Sequence, residues 1–378
     1  MDSRDKSKEN RRFSKMITQG ALYFFIFIAL LIIVLLAYRS FMQHQIKNES
    51  AELIKNGGIS ELKKIEVNGD SQFILVEGKD STKPFCLFLH GGPGSPFPYG
   101  VSARSLYPEI TNNCVAVYYD QRGSGKSFNK KVDISTMNLN QFTEDANVIV
   151  DYIREHYKQD KVFIIGQSFG TVTGTLLVSK YPEKFHAYLG ISQLTSSSKG
   201  QILGYNWLQK EAMASNDQKT LQTLAKLGEG PYLDEKEDIF SELIDYYRGM
   251  NYFDDNVEKV NLFDLVKGAF TSPDYSITDI YKAFISGPRF SLIESEALKN
   301  EIILTDFFNS NKKVDIPVYF IHGKHDKQTN YDLAKQYYEL LEAPNGKEFL
   351  TLENSAHYPN PLDSELITHS IKEMIEEN

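Results

Sequence analysis

The distribution of apolar and polar positions divides the chain into two unlike parts. Between Lys15 and Arg39 no residue is charged, and the run ALYFFIFIALLIIVLLAY lies inside this window. At about 1.5 Å per residue, this run is long enough to cross a bilayer core of about 30 Å. The pattern therefore predicts a transmembrane helix over residues 16–39, with a cytoplasmic tail (1–15) before it and a polar stalk or linker (40–60) behind it.

The charges on either side of the apolar run predict its orientation. Basic residues are frequent before the run, whereas Arg39 and Lys47 are those just after it. The more basic flank stays in the cytoplasm, so the rest of the chain is expected outside the cell. A cleaved signal peptide is the alternative, but its apolar region usually spans about 7 to 15 residues and ends at small residues, which LLAYRS does not offer. We therefore expect a single-pass protein of the cell membrane that contacts the lipid bilayer through this helix.

Beyond residue 60, strand-like and helix-like segments alternate. Helices are predicted over residues 141–156, 330–341 and 361–376. Strands separated by helices indicate an α/β fold with a mostly parallel sheet that is covered on both faces. The strand-like segments are KKIEVNG, SQFILVEG, FCLFLH, VAVYYD, KVFIIG, VDIPVYFIHG and EFLTL.

The strand pattern is interrupted from residue 195 to 306. This block looks helical and contains acidic, tyrosine-rich runs such as IDYYRGMNYFDD. We interpret it as an inserted helical cap, so that the core comprises residues 61–194 and 307–378. From Leu194 to Asp306 there are 19 acidic and 11 basic residues, so most of the chain's net charge of -9 lies here. Acidic walls would attract a cationic group, and a solvated acidic surface is the alternative.

Composition narrows the classes of function. With 41% apolar and 24% charged residues, the chain is globular rather than disordered. A net charge of -9 without a stripe of Lys and Arg argues against a nucleic-acid partner. Cys86 and Cys114 both lie in apolar runs, which favours buried free thiols; a disulfide is the alternative if the two strands are neighbours. Two cysteines this far apart in the sequence indicate no metal site.

The stretch FIIGQSFGTVTG, residues 163–174, suggests a nucleophile. A β-branched, apolar strand leads into Ser168, which is flanked by Gly166 and Gly170, and helix-forming sequence follows. In the motif G-x-S-x-G the serine occupies a strained turn, and the glycines let the strand and the helix approach each other. A packing turn also produces this pattern, but the strand before it and the helix after it favour a catalytic Ser168.

A serine nucleophile needs a base that takes its proton and a carboxylate that orients the base. Asp326 follows the strand PVYFIHG, and His357 follows the strand EFLTL. Both would lie at carboxyl ends of strands, where open α/β sheets keep their sites, and the chain order Ser168, Asp326, His357 is that of one hydrolase class. Asp326 as a turn residue or helix cap, His357 as a loop histidine, and His322 or His325 as the base are the alternatives.

The glycine-rich segment HGGPG, residues 90–94, follows the strand FCLFLH. Glycines there let backbone amides face a substrate without a side chain in the way. We predict that the amides of Gly92 and Phe169 form an oxyanion hole. An ordinary turn is the alternative.

The segment GSGKS, residues 123–127, resembles the end of a phosphate-binding loop. That loop needs a glycine five residues before its second glycine, and Asp120 stands there. The sequence that follows, FNKKVDIS, lacks the amphipathic period of a helix. We therefore expect no nucleotide site.

The segments HGGPG, DQRGSGKS and GQSFG, with the downstream Asp326 and His357, together resemble the α/β-hydrolase superfamily, and specifically its proline iminopeptidase family of serine peptidases. The landmarks span about residues 60 to 378. The resemblance implies an eight-stranded sheet with a helical cap inserted after the sixth strand, no cofactor, and release of an N-terminal residue, often proline, from short peptides. It implies Ser168 as nucleophile, His357 as base and Asp326 as the residue that orients the base.

Two departures leave the substrate open. Family members usually carry glycine and tryptophan around the serine, where this chain has Gln167 and Phe169, and they typically lack a membrane anchor. With the substrate left open in this way, we predict a membrane-anchored serine hydrolase, an aminopeptidase of the proline iminopeptidase type that releases an N-terminal residue from a small peptide. A carboxylic-ester hydrolase with an ester substrate, and a noncatalytic binding module of the same fold, are the alternatives.

Overall fold

Eight strands form a single sheet that frames the molecule. A computed structural model describes residues 3–233 and 235–378, with the backbone alone for 3–12 and Ser105. The strand order is β1-β2-β4-β3-β5-β6-β7-β8; β1 and β2 run antiparallel to their neighbours, and β3 to β8 are parallel. The strands are β1 Ile59–Val67, β2 Asp70–Gly78, β3 Phe85–Leu89, β4 Val115–Asp120, β5 Val162–Gln167, β6 Phe185–Ile191, β7 Val318–Gly323 and β8 Lys347–Leu352. The predicted eight-stranded, mostly parallel sheet is confirmed.

Helices cover both faces of the sheet and fill the segment between β6 and β7. The predicted helix 330–341 begins one residue later because Asn330 acts as its N-cap, and the predicted helix 361–376 begins later because Pro361–Asp363 form a 3₁₀ turn. The helices are α1 Ser3–Lys55, α2 Leu139–His156, α3 Phe169–Lys180, α4 Ser197–Ala214, α5 Gln218–Leu227, α6 Lys236–Tyr246, α7 Phe263–Thr271, α8 Ile277–Tyr281, α9 Glu296–Leu304, α10 Phe307–Ser310, α11 Tyr331–Leu340 and α12 Ser364–Glu377.

The central strands are buried on both faces, which explains their continuous apolar sequence. Along β5, for example, Ile164 faces one hydrophobic cluster and Ile165 faces the other, as the alternation of side chains along a strand requires. The strand β6, FHAYLGI, was not among the predicted strands. It lies between β5 and β7 in the sheet.

Helices α4 to α9 form the segment interpreted above as a cap. Its two ends meet, because Ser196 forms an antiparallel bridge with Asp306 and the amide of Phe307 donates to the carbonyl of Thr195 at 2.9 Å. Two π-helical turns, Lys282–Ser286 and Arg289–Glu294, follow α8. The segment therefore leaves and rejoins the core at one place, as expected of an insertion.

The N-terminal helix α1 is longer than the predicted span. Among the described residues it is the helix that is long and apolar enough to cross a membrane, and its most apolar window is not buried against the protein. The predicted stalk is itself helical as far as Lys55, and its last two residues belong to β1. Helical sequence without glycine or proline from Arg39 to Lys55 explains this continuity.

Cys86 and Cys114 are buried and free. Cys86 lies in β3, and Cys114 immediately precedes the neighbouring strand β4. Burial raises the pKa of the Cys86 thiol well above its ordinary value, which keeps that thiol protonated and unreactive. The structure therefore has two buried thiols and no disulfide between them.

Candidate active site

Ser168 lies in a strained turn between β5 and α3. Its backbone has φ 51° and ψ -119°, in a region that non-glycine residues rarely occupy. A Cβ at Gly166 would lie 2.7 Å from the carbonyl oxygen of Gly170, and a Cβ at Gly170 would collide with the carbonyl oxygen of Leu89. The amide of Ser168 donates to the carbonyl of Ile191 at 3.0 Å. The two glycines thus permit the close approach that a nucleophile at this turn requires.

Asp326 and His357 are brought together although they are far apart in the sequence. His357 Nδ1 lies 3.0 Å from Asp326 Oδ2, and both residues are buried. The other carboxylate oxygen of Asp326 accepts from the amides of Gln328 at 2.8 Å and Thr329 at 2.9 Å. The hydroxyl of Thr329 donates to Asp326 Oδ2 at 2.7 Å. These donors hold the carboxylate in a single orientation, facing the imidazole.

The charge state of Asp326 determines which imidazole nitrogen is free. Burial by itself would raise the pKa of Asp326, but the charges and hydrogen bonds of His357 and His322 outweigh burial and hold that pKa well below its ordinary value. The ionised carboxylate accepts the Nδ1 proton of His357, so Nε2 is left to accept a proton from another group. This is the arrangement that a general base needs.

The two alternative histidines lie in different surroundings. His322 is fully buried, and its Nε2 lies 3.2 Å from Asp326 Oδ2, so it shares the carboxylate with His357. The ring of His325 instead stacks on that of Tyr252, with centroids 3.6 Å apart. Of the two, His322 shares the Asp326 carboxylate with His357, whereas the ring of His325 packs on a tyrosine of the segment interpreted as a cap.

The end of β6 is linked both to Ser168 and to His357. Ser192, directly after β6, donates its hydroxyl to the carbonyl of His357 at 3.1 Å. Ile191, the last residue of β6, accepts from the amide of Ser168. Among the described residues, the hydroxyl of Ser168 forms no hydrogen bond with His357; such bonds are often longer before substrate binds. The contact of Ser168 with His357 therefore stays a prediction.

The HGGPG loop lies beside the nucleophile. A Cβ built at Gly91 would be 3.3 Å from Cβ of Ser168, and the next residue, Gly92, has φ 104°, which favours glycine. On the other side, Phe169 begins α3, whose N-terminal amides carry a partial positive charge. Both segments that carry the predicted oxyanion donors thus lie next to Ser168, and the donor role of Gly92 and Phe169 stays a prediction.

A buried histidine ties the HGGPG loop to the DQRGSGKS segment. His90 Nε2 accepts from the amide of Gln121 at 3.1 Å, so Nδ1 carries the proton and donates to the carbonyl of Gly91 at 2.7 Å. The Gln121 side chain donates to the carbonyl of His90 at 3.0 Å. Burial lowers the pKa of His90 to about 4. His90 is therefore a neutral residue that holds the loop in place.

Asp120 is a second buried connection. Its carboxylate accepts from the amides of Val101 and Lys126, both at 2.7 Å, and from the hydroxyl of Tyr275 at 2.6 Å. Burial raises the pKa of Asp120 to about 6, although these hydrogen bonds act in the other direction. Tyr275 belongs to the cap, so Asp120 joins the cap to the end of β4. Asp120, which stands where a phosphate-binding loop would need a glycine, thus has a structural role.

Sequence reasoning did not find Ser192, Thr329 or the connecting role of Asp120. Ser192 and Asp120 act through buried contacts with residues distant in sequence, which carry no fixed spacing. Thr329 had one local indication, because a threonine shortly after an aspartate often bonds back to that carboxylate in a turn. Among the described residues, no group of three or more His, Cys, Asp or Glu side chains is placed as metal ligands would be.

We expect the substitution His90→Gln to reduce the loss of stability between pH 6.5 and 4. The pKa of His90 falls from 6.5 to about 4 on folding. In this interval the unfolded chain binds more protons at His90 than the native chain, so the free energy of unfolding decreases as the pH falls. Glutamine binds no proton, so the contribution of His90 to the change of the free energy of unfolding with pH is lost.

Urea unfolding of both proteins at several pH values between 4 and 6.5 measures the two slopes. Asp120, whose raised pKa acts in the opposite direction over part of this range, is present in both proteins and cancels in the difference. Equal slopes would contradict the neutral, buried state of His90.

Comparison with known proteins agrees with this architecture. A family model described as "alpha/beta hydrolase fold" matches residues 85–363. Over 318 residues the chain is 29% identical to a "probable aminopeptidase" of Bacillus subtilis (strain 168), which covers 83% of this chain and 95% of that protein. Over 137 residues it is 28% identical to the proline iminopeptidase of Lactobacillus helveticus (strain DPC 4571), which covers 36% of this chain and 44% of that enzyme.

A solved structure shows the same fold. The proline iminopeptidase-related protein of Thermus thermophilus superposes with a TM-score of 0.52 at 16% identity, covering 84% of this chain and 98% of that one. At this identity the likeness shows the fold alone. The family model, by contrast, matches most of the chain. The matched residues include the turn that carries Ser168 and the pair Asp326 and His357. The chain therefore belongs to the α/β-hydrolase family, on a branch that resembles the proline iminopeptidases.

Proposed function

We propose that this hydrolase is a serine peptidase that uses Ser168, His357 and Asp326, and that it releases the N-terminal residue of short peptides in the manner of a proline iminopeptidase. The observation that carries the proposal is the buried pair His357 and Asp326, whose Nδ1 and Oδ2 atoms lie 3.0 Å apart, together with the strained turn that carries Ser168. The two relatives named above, a probable aminopeptidase and a proline iminopeptidase, support the substrate class.

The reaction follows from these side chains. Ser168 Oγ attacks the carbonyl carbon of the scissile bond while its proton passes to His357 Nε2. The amides of Gly92 and Phe169 stabilise the negative oxygen of the tetrahedral intermediate. His357 then gives the proton to the leaving amine, and Asp326 stabilises the imidazolium in between. Water, deprotonated by the same imidazole, hydrolyses the acyl-enzyme.

We also propose that α1 anchors the enzyme in the cell membrane with the hydrolase domain outside the cell. The charge-free window inside α1 and the more basic flank before it support this orientation. Protease added to intact cells measures this orientation, because an outward domain is digested and an inward domain is protected.

The acidic cap would attract the positive amino terminus of a peptide substrate.

We expect the full-length protein to hydrolyse a chromogenic prolyl amide, because the relatives named as a probable aminopeptidase and a proline iminopeptidase indicate an amide bond after a residue with a free amine. The measurement compares kcat/KM for the prolyl amide, for the same amide with an acetylated amine, and for a short acyl ester. The acetylated amide is the control for recognition of the free amine. Turnover of the ester alone would replace the peptidase by an esterase, and turnover of none would favour the noncatalytic binding module.

A further inference from the structure

Two consecutive helices of the cap expose apolar side chains that neither the core nor the candidate active site uses. On α8 and the π turn after it, the exposed residues recur every four positions, and on α7 they recur at three- and four-residue spacing, so each set occupies one helix face. Their exposed fractions range from 38% to 67%. We name this surface the cap apolar face; it comprises Leu262, Phe263, Val266, Ile277, Tyr281 and Ile285.

The N-terminal helix is attached to the protein beside this face. The guanidinium of Arg39 donates to the carbonyl of Phe270 and, at 2.5 Å, to the carbonyl of Tyr275. One turn later, the side chain of Gln43 donates to the carbonyl of Ser272 at 2.8 Å. Arg39 is nearly buried by these contacts, with 8% of its surface exposed. The chain between α7 and α8 is therefore fixed at the level of Arg39.

Arg39 also marks the end of the apolar span. No charged residue lies between Lys15 and Arg39, so Arg39 is at the boundary between the bilayer core and water when α1 crosses the membrane. Because Arg39 contacts the last turn of α7 and the segment between α7 and α8, we infer that the cap apolar face lies at the same boundary. The contacts of Arg39 thus determine the height of this face relative to the bilayer.

A second contact of α1 determines how the protein stands on the membrane. Ser50 accepts from the guanidinium of Arg104 at 2.5 Å, next to Glu77 in β2. The rise from Arg39 to Ser50 is about 17 Å along a helix. Therefore α1 lies along the body from β2 to α7 and leaves it at Arg39, and no glycine or proline interrupts this part of the helix. The described residues from Arg39 to Ser50 therefore contain no hinge at which α1 could bend and hold the cap away from the bilayer.

We propose that the cap apolar face rests on the bilayer that α1 crosses, with its side chains inserted to the depth of the lipid headgroups and the first carbons of the acyl chains. This inference rests on the membrane anchor in the proposed function. Exposed apolar patches of this kind mark interaction sites, and aliphatic and aromatic side chains on one helix face are typical of a helix that lies in the membrane interface.

The same helical segment forms part of the wall next to the candidate active site. Phe284, in the π turn that carries Ile285, stacks on Phe97 with centroids 4.4 Å apart. Further along, the backbone of Gly287 packs against Gly94 of the HGGPG loop. Contact with lipid would therefore hold the cap in one position relative to the nucleophile and its loop.

Depth-dependent quenching tests the proposal with three isoleucines of similar exposure. Ile277→Cys reports the cap apolar face, Ile32→Cys reports the apolar part of α1, and Ile54→Cys reports a site on α1 about 22 Å from Arg39 along the helix. Their exposed fractions are 53%, 49% and 51%. The native cysteines are buried, so an environment-sensitive fluorophore labels the new thiol in the full-length protein. Nanodiscs with and without a lipid-borne spin quencher supply the bilayer.

We expect the quencher to reduce the emission of labels at Ile277→Cys and Ile32→Cys by about twofold or more, since both would lie within reach of the acyl chains, and to leave the label at Ile54→Cys unchanged. Quenching at Ile32→Cys without quenching at Ile277→Cys would refute the docked face and leave the anchor intact. Absence of quenching at Ile32→Cys would refute the anchor and the docked face together.

Two further outcomes would also overturn the proposal. A blue-shifted but unquenched label at Ile277→Cys would indicate a protein partner, such as a second copy of this chain, instead of lipid. Quenching at Ile54→Cys would show that α1 lies along the membrane, so that Arg39 no longer marks the boundary. Prolyl amide hydrolysis is measured separately on the same variants, so failure of the peptidase assignment is distinguishable from every one of these results.

Discussion

The substitution Ser168→Ala is expected to lower kcat for hydrolysis by roughly 10⁴- to 10⁶-fold, because no other group at the elbow forms the acyl-enzyme. KM is expected to change little, since the hydroxyl contributes mainly in the transition state. Alanine keeps the Cβ and the backbone bond to Ile191, so the fold is retained. Steady-state kinetics and labelling by a fluorophosphonate probe measure the effect.

Ser179→Ala is the matched control for this experiment. Ser179 lies on α3 as well, near the other end of the helix, and its buried hydroxyl has no hydrogen-bond partner among the described residues. We expect this variant to keep its activity and its probe labelling. Persistent labelling of a folded Ser168→Ala protein would show that the nucleophile is elsewhere.

The substitution His357→Gln is expected to lower kcat by a similar factor, about 10⁴- to 10⁶-fold, because it removes the base that accepts the serine proton. Glutamine retains a donor for Asp326 but cannot accept and return a proton. Loss of the imidazole also removes one group that lowers the pKa of Asp326. Single-turnover kinetics separate the acylation step, where the loss is expected, from substrate binding.

The neighbouring histidines supply the comparison. His325→Gln changes a ring that stacks on Tyr252 and makes no contact with the carboxylate among the described residues, so we expect nearly unchanged kcat. His322→Gln removes a ring 3.2 Å from Asp326 Oδ2, and we expect a smaller loss than for His357→Gln. A larger loss at His322 than at His357 would reverse the assignment of the base.

Much of the fold was predictable because its elements carry local patterns. The strand VAVYYD is apolar throughout and is buried at all six positions of β4, since a central parallel strand has helices on both faces. The strand β6, FHAYLGI, was missed because His186 and Gly190 interrupt its apolar pattern, although its burial follows from its place between β5 and β7. The predicted stalk is helical as far as Lys55, because a polar sequence without glycine or proline can continue a helix.

The candidate site was predictable in its main residues and in the pairing of Asp326 with His357, but not in its other connections. Ser168 was recognisable because the glycines at fixed spacing satisfy a local steric need at the turn. The pairing of Asp326 with His357 was predicted from the two strand ends, but the further contacts of Thr329 and His322 with the same carboxylate were not, since the sequence does not show which side chains around the end of β7 face it. Asp120 appeared in the sequence only as a mismatch in a phosphate loop, and its bond to Tyr275 across 155 residues gives it a different meaning.

By itself the sequence determined the layered α/β architecture, the apolar helix at the N-terminus and the identity of the serine at the elbow. All three depend on hydrophobic periodicity and on steric limits between residues close together in the chain. Such local features can be read from the sequence without knowledge of the fold. Only the tertiary structure decided that His357, not His325, shares the buried carboxylate with His322, and that Arg39 fastens the apolar helix beside α7 and α8. Such contacts join residues tens to hundreds of positions apart, and their distances arise only when the strands and helices pack.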